Sequence, residues 1–341
     1  MAKLDPATTP ITPETSTSPR RFGLLERLRN FGQAYGALTA LVLIILYDIA
    51  FRPHFLEARS LFNDLQEVAP IAIIATGMTL VIATGGIDLS VGSLMAFAGA
   101  LAPIIFQSPL LAGSPALAIT LTLLLPLFAT GLFGLFNGVL VTRFRIQPII
   151  ATLVLFIAGR GIALVLSNDK LQDFHNPGFQ FIGQGTVLGI PFQVILMLII
   201  VIFFAVIVRV TTFGRYVLST GGNEAAARLA GIPVDRVKLA VYTISALLAA
   251  LAGFIIISIN SSSDATRVGL NGELDAIAAV AVGGTPLTGG QATVVGTLIG
   301  ALIIYLIGAT LVAQNVSFGV AQVIKAAIIL LAVYVQRQQK V

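Results

Sequence analysis

Apolar residues run through this chain in long blocks with short polar breaks between them. The blocks fall at about 34–51, 68–84, 91–106, 115–141, 148–166, 191–208, 239–259, 274–283, 291–312 and 320–335. A helix needs about 20 such residues to cross the hydrocarbon of a bilayer. Several blocks are shorter, and the one at 274–283 is too short to cross alone. The pattern predicts an all-α polytopic membrane protein with about ten transmembrane helices, some short or broken.

Composition supports this and removes other classes. Of 341 residues, 57% are hydrophobic and 10% charged, against about 25% charged in soluble domains. No room is left for a large soluble domain. Residues 1–33 read as a Thr- and Pro-rich disordered tail followed by a short amphipathic helix on the membrane surface. There Phe22, Leu25, Leu28 and Phe31 recur at helical spacing between arginines. Residues 34–336 form the membrane domain, with its longest inside loop at 209–238, and 337–341 a cytoplasmic tail. No signal peptide is expected, because no short apolar region with a cleavage site follows the tail.

Charge placement orients the chain. With the N-terminus cytoplasmic, Arg52, Arg59, Lys170 and Arg267 fall outside and Arg160 and Lys325 within blocks. The other fourteen of the 20 Lys and Arg fall inside, as the positive-inside rule requires. Both termini are then cytoplasmic, provided the 274–283 block crosses. The net charge of +5 is no nucleic-acid signal in such a chain. The absence of cysteine excludes disulfides, thiolate metal sites and iron–sulfur clusters. His54 and His175 lie far apart, and neither HExxH nor GxxxxGK[ST] occurs. No catalytic, metal or cofactor-binding residues are expected, and no phosphate loop.

An internal repeat is visible. "GGIDLSVG" at 85–92 aligns with "GGTPLTGG" at 283–290, pairing Gly85, Gly86, Leu89 and Gly92 with Gly283, Gly284, Leu287 and Gly290. Gly-interrupted segments in two halves point to a transporter's substrate route. Such backbone is tolerated at membrane depth only against protein or water. Taken alone, the glycines read more simply as tight turns near the cytoplasmic surface. Asp88 admits two readings. It is a pathway carboxylate, because acids at membrane depth tend to be functional, or it caps the next helix.

Within 209–238, "GGNEAAARLAGIP" describes a small helix. Asn223 is its N-cap, Glu224 favours the first turn, and Glu224 and Arg228 form an i,i+4 pair. Gly231 suits the left-handed C-terminal position and Pro233 stops the helix. Ala226, Leu229 and Ile232 supply an apolar side. The helix either rests on its own bundle or membrane, or docks into a partner.

"GGIDLSVGS", "GGNEAAARLAGIPVDRVK" and "ELDAIAAVAVGGTPLTGG", in that order over about 65–335, resemble the permease subunits of ribose-type sugar ABC importers. Among these the chain is similar to the galactofuranose-type permeases. The resemblance implies a bacterial inner-membrane permease that carries a monosaccharide such as galactofuranose or a pentose. It implies a cytoplasmic ATP-binding subunit that hydrolyses the ATP, a periplasmic sugar-binding protein and a second permease, identical or paralogous. It also implies a coupling helix at Gly222, Asn223, Glu224, Ala225, Ala226, Arg228, Gly231 and Ile232.

A sugar route needs hydrogen-bonding groups in an apolar wall. The candidates are Thr79, Thr84, Asp88, Ser90, Asn137, Gln147, Arg160, Asn260, Glu273 and Asp275. Each also has a structural reading. Thr and Ser bond their own backbone, Asn137 beside Gly138 joins two helices, Arg160 and Lys325 snorkel from outer ends, and Glu273 and Asp275 cap a half-helix. The competing functions are a proton- or sodium-coupled transporter, which few buried acids would serve, and an ABC permease for branched-chain amino acids or a signalling furanose. For a membrane enzyme, no nucleophile–base pair is visible.

Overall fold

A computed structural model describes residues 24–338 except 112 and 174; side chains are described from residue 36, except 112, 174, 318, 329 and 331 onward. The chain divides into two units, Met1–Gly36 and Ala37–Val341. The expected disordered tail lies outside the described residues, as does the start of the expected surface helix at 20–31. From Leu24 that segment is already helical, in α1 (Leu24–Phe51). The expected tail at 337–341 overlaps α13 (Phe318–Gln338), and its last three residues lie outside the description.

The architecture is all-α. Each predicted apolar block corresponds to a helix: α1, α2 (Ala58–Ala83), α3 (Val91–Phe106), α4 (Pro115–Thr142), α5 (Pro148–Ser167), α7 (Phe192–Val210), α10 (Val234–Asn260), α11 (Gly272–Val282), α12 (Val294–Ala313) and α13. Three short helices join them: α6 (Pro177–Gln184), α8 (Thr212–Gly222) and α9 (Glu224–Leu229). Two-residue strands β1 (Gln172–Asp173) and β4 (Ser262–Ser263) pair antiparallel, as do β2 (Thr186–Val187) and β3 (Ile190–Pro191). Among the described residues, α2, α4, α5, α7, α10 and α12 are long and apolar enough to cross a membrane.

Helices α2 and α10 form the centre. The last two-thirds of α2 is buried nearly without interruption, and α10 packs on α2, α3 and α4. Small residues set the α4–α10 distance. A Cβ at Gly134 would stand 2.5 Å from the Ala246 Cβ, and one at Gly138 2.9 Å from Leu239. Without side chains there, the backbones approach closely enough for van der Waals packing to hold two apolar helices together. Peripheral helices turn Phe128, Ile157 and Ile202 outward, as a lipid-facing surface requires.

The Ala83–Gly85 turn, the end of α8 and the Gly289–Gly290 loop touch one another, and the α4–α5 loop lines a groove with α9, so these loops share one end of the bundle. That end carries residues 84–86, 143–147, 211–233 and 283–293. It is called the α9 end below.

Two helices are broken. Helix α11 has 11 residues, about 16 Å at 1.5 Å per residue, or half the ~30 Å of a bilayer core. It starts inside the molecule and finishes at the α9 end. Helix α3 also starts inside, since residues 87–90 first rise from the α9 end as non-helical chain. Its first turn meets the first turn of α11: a Cβ at Gly92 would collide with both the Glu273 Oε2 and the Gly269 carbonyl.

Candidate functional site

Three helices close at the α9 end in the same way. In α2, Gly85 takes φ +81°, and the Gly85 and Gly86 N–H groups donate to the Ile82 and Val81 carbonyls at 2.8 and 3.1 Å. In α11, Gly284 takes φ +90°, and Gly284 and Thr285 donate to Ala281 and Val280 at 3.1 and 3.2 Å. In α9, Gly231 and Ile232 donate to Arg228 and Ala227, both at 3.0 Å. The left-handed residue after each helix is glycine, which meets no Cβ penalty there.

This fixes the register of the repeat. Gly85 corresponds to Gly284, one residue away from the sequence alignment with Gly283. Beyond the shared helix stop the loops diverge, because α3 starts at Val91 and α12 only at Val294. A double glycine offers two places for the left-handed turn, and the two copies use different ones.

The two loops meet each other and the end of α8. The Gly290 N–H donates to the Ala83 carbonyl at 3.0 Å, and a Cβ at Gly289 would stand 2.9 Å from the Gly85 nitrogen. At Gly221, a Cβ would overlap the Ala83 carbonyl oxygen and stand 2.7 Å from the Gly290 nitrogen. Backbone therefore lies on backbone where α8 ends, and one residue beyond Gly222 the cap of α9 begins.

Helix α9 follows its sequence signals. The Asn223 Oδ1 accepts from the Ala226 N–H at 3.0 Å. Arg228 reaches Glu224 at 2.9 Å and also pairs with Asp235, while the Lys238 Nζ reaches Glu224 at 2.6 Å. Burial pushes the Glu224 carboxyl up, but its bonds to Lys238 and Arg228 prevail and hold it below the usual carboxylate range. The apolar side differs from expectation. Ala227 is buried and Ile232 half-buried, whereas Ala226 is exposed and Leu229 is 91% exposed. The pairs to Asp235 and Lys238 fix the rotation of this six-residue helix, and Leu229 points away from the bundle. Ala225 and Gly222 are exposed beside it.

The other candidates separate into groups. Asp88, Ser90 and Asn137 form one buried chain. The Asp88 carboxylate accepts from the Ser90 N–H (3.0 Å), the Ser90 hydroxyl (2.6 Å) and the Ser245 hydroxyl of α10 (2.8 Å). The Asn137 Nδ2 of α4 donates to the Ser90 Oγ at 2.9 Å. Ser245 lies eleven residues into α10, so Asp88 sits about 16 Å from that helix's start. Its bond to Ser90, two residues on, is an Asx turn ahead of α3, and in this conformation the carboxylate is only 1% exposed.

Arg160 and Glu273 form a second group where α3 and α11 begin. Arg160 lies about two-thirds of the way along α5 and turns into the protein rather than snorkelling from its end. Its guanidinium donates to the carbonyls of Ala265 (2.7 Å), Val268 (3.0 Å) and Gly92 (3.3 Å). Those carbonyls belong to irregular chain and a helix's first turn, and Arg160 supplies donors to them. Glu273 is buried, and its Oε2 has no hydrogen-bond partner among the described residues. Asp275 accepts from Lys325 of α13 at 2.6 Å, so Lys325 does not snorkel either.

Four candidates lie apart. The Thr84 hydroxyl bonds its own helix at Val81 (2.8 Å), and Thr79 meets Thr297 of α12 at 2.7 Å. Asn260 is exposed at the end of α10, and Gln147 is exposed at the start of α5. Sequence reasoning missed the partner Ser245 and a polar contact between α1, α2 and α12. There Thr310 donates to the buried Asp48 at 2.7 Å, Arg52 grips Asp64 at 2.8 and 2.9 Å, and Tyr305 reaches Asp64 at 3.2 Å. An acid inside the first apolar block was the available signal.

Residues 60–333 match the family described as branched-chain amino acid transport system / permease component. The galactofuranose transporter permease protein of Escherichia coli K12 is 37% identical over 340 residues, covering 96% of this chain and 94% of its own. The ribose import permease protein of Bacillus subtilis 168 is 40% identical over 333 residues, covering 96% and 99%. The L-arabinose ABC transporter permease protein of Azospirillum brasilense is 34% identical over 333 residues, covering 97% and 94%. No solved structure matches.

Proposed function

We propose, from the premise that this chain belongs to the family of ribose-type sugar ABC permeases, that it forms half of the path by which a bacterial inner membrane imports a monosaccharide. Galactofuranose or a pentose, delivered by a periplasmic binding protein, is the substrate class. A separate cytoplasmic subunit hydrolyses the ATP, and a second permease, identical or paralogous, completes the path. Both termini and the α9 end face the cytoplasm, in keeping with the distribution of Lys and Arg.

One observation carries the reading: Leu229, 91% exposed, on a helix that follows directly on α8, whose Gly221 lies backbone-to-backbone against α2 and the α11–α12 loop. An apolar side chain held out at a polar end suits a partner's pocket. Closure of the ATP-binding subunits would push α9, and Gly221 would pass the displacement to Ala83 and Gly290. The broken helices α3 and α11 would then shift together, as elements that switch between discrete packings do.

For the sugar route, the reading favours the level where α3 and α11 begin. Half-helix N-termini at mid-depth mark substrate sites in transporters. Arg160, Glu273 and, further along, Asp88, Ser90 and Asn137 lie near that level, and Leu270 and Leu274 beside it are more than half exposed. The route would run between this face and the second permease.

The test is Leu229→Asp. A side chain this exposed contributes little to folding, and such surface changes stay within about 0.5 kcal/mol. The variant should reach the membrane at wild-type level and lose ATP-driven sugar uptake. Uptake at the wild-type rate would overturn the docking role of α9.

A further inference from the structure

Beside α9 lies a groove of about 560 Å³, walled on one side by the loop between α4 and α5 (Arg145, Ile146, Pro148) and on the other by Glu224, Ala225 and Lys238. Arg145 stands at its rim with φ +53°. A non-glycine residue in that region is strained and persists only where its surroundings fix it. The flanking turn does so: Phe144 donates to Val139 at 3.3 Å and Ile146 to Leu140 at 3.1 Å.

The acids at this groove are already engaged, Glu224 by Arg228 and Lys238, and Asp235 by Arg228. What remains outward is apolar and positive. Phe144 is 66% exposed. Arg143, Arg145, Arg209, Arg215 and Arg236 are exposed at this end, and none forms an ion pair among the described residues. Area gives a second argument. A stable interface buries about 800 Å² per partner, far more than the outer face of a six-residue helix offers. A partner held at α9 needs further contact, and this groove is the adjoining surface.

We propose that the groove is a second docking point for the ATP-binding subunit, taking a segment with a carboxylate for Arg145 and an apolar side chain against Ile146 and Pro148. The inference rests on the docking role of α9. Two contacts, on α9 and on the α4–α5 loop, fix the partner's orientation as well as its position.

The chain has no cysteine, so single cysteines report cleanly. Gln147→Cys, in the groove, and Leu229→Cys, on α9, are labelled in membranes with a bulky charged maleimide, with and without the co-expressed ATP-binding subunit. Both should react about tenfold or more slowly with the subunit present, because an interface excludes water from its core. Protection of Leu229→Cys alone overturns the second contact and leaves α9 standing. Protection of neither overturns both. Without the subunit, slow labelling of Gln147→Cys in nanodiscs of anionic lipid and fast labelling in neutral lipid would assign the groove to a headgroup and overturn the proposal.

Discussion

Replacing Gly221 by alanine tests the junction that links α9 to the broken helices. The added methyl would overlap the Ala83 carbonyl oxygen and stand 2.7 Å from the Gly290 nitrogen. Both obstacles are backbone, so neither yields by a rotamer change. Overpacking of this kind costs about 1–3 kcal/mol. Displacing the loop also breaks the 3.0 Å bond from Gly290 to Ala83, a further ~1 kcal/mol. The sum, about 2–4 kcal/mol, corresponds to a fall in melting temperature of roughly 5 °C or more for a chain of this size. Gly222 is the control, since a Cβ there meets nothing within 4 Å. It ends α8 in helical conformation, where alanine is favoured over glycine by up to ~1 kcal/mol. Melting of the two variants in one detergent, followed by tryptophan-free methods such as thiol-independent scattering, should separate them clearly. Equal melting of Gly221→Ala and wild type would refute the backbone-on-backbone junction.

Two further outcomes follow from the polar contacts. Asp88→Asn keeps an oxygen for both Ser90 donors and offers its amide to the Ser245 hydroxyl, so it should melt within about 1–2 kcal/mol of wild type and import sugar. Asp88→Leu leaves three buried donors unmade at about 1–3 kcal/mol each and should not yield folded protein; a stable Asp88→Leu variant would show that these bonds do not hold the loop. Glu224→Gln removes a carboxylate held below its usual range, so the stability it confers is full above pH ~4.3 and lost as pH falls through the lowered value. The wild type should melt slightly above Glu224→Gln at pH 7, and the gap should close in acid; a gap that widens in acid would contradict the pairing.

Much of this was legible in the sequence because the signals are local. Apolar blocks give helix positions, and Asn223, Glu224, Arg228 and Gly231 specify a cap, a pair and a stop within nine residues. Depth was not legible. Arg160 looked like an outer-end arginine because α5 reads as a simple span, and nothing local says that chain from 265–268 reaches down to meet it. The rotation of α9 depends on Asp235 and Lys238, which lie beyond its stop, so the sequence left open whether Leu229 rests on the bundle or faces outward. The repeat was visible as composition, but which glycine turns left-handed is decided by the carbonyls of the preceding helix. Partners far apart in sequence, Ser245 for Asp88 and Thr310 for Asp48, leave no pattern in a single chain.

The central claim is that ATP hydrolysed by another subunit drives a sugar through this permease. Uptake of labelled galactofuranose and pentoses should be measured in cells with and without the gene, under ATP depletion and, separately, with a protonophore while ATP is maintained. The account predicts gene-dependent uptake of one of these sugars that stops on ATP depletion and continues with the protonophore. Uptake that collapses with the protonophore while ATP stays high would contradict it and make the chain an ion-coupled carrier.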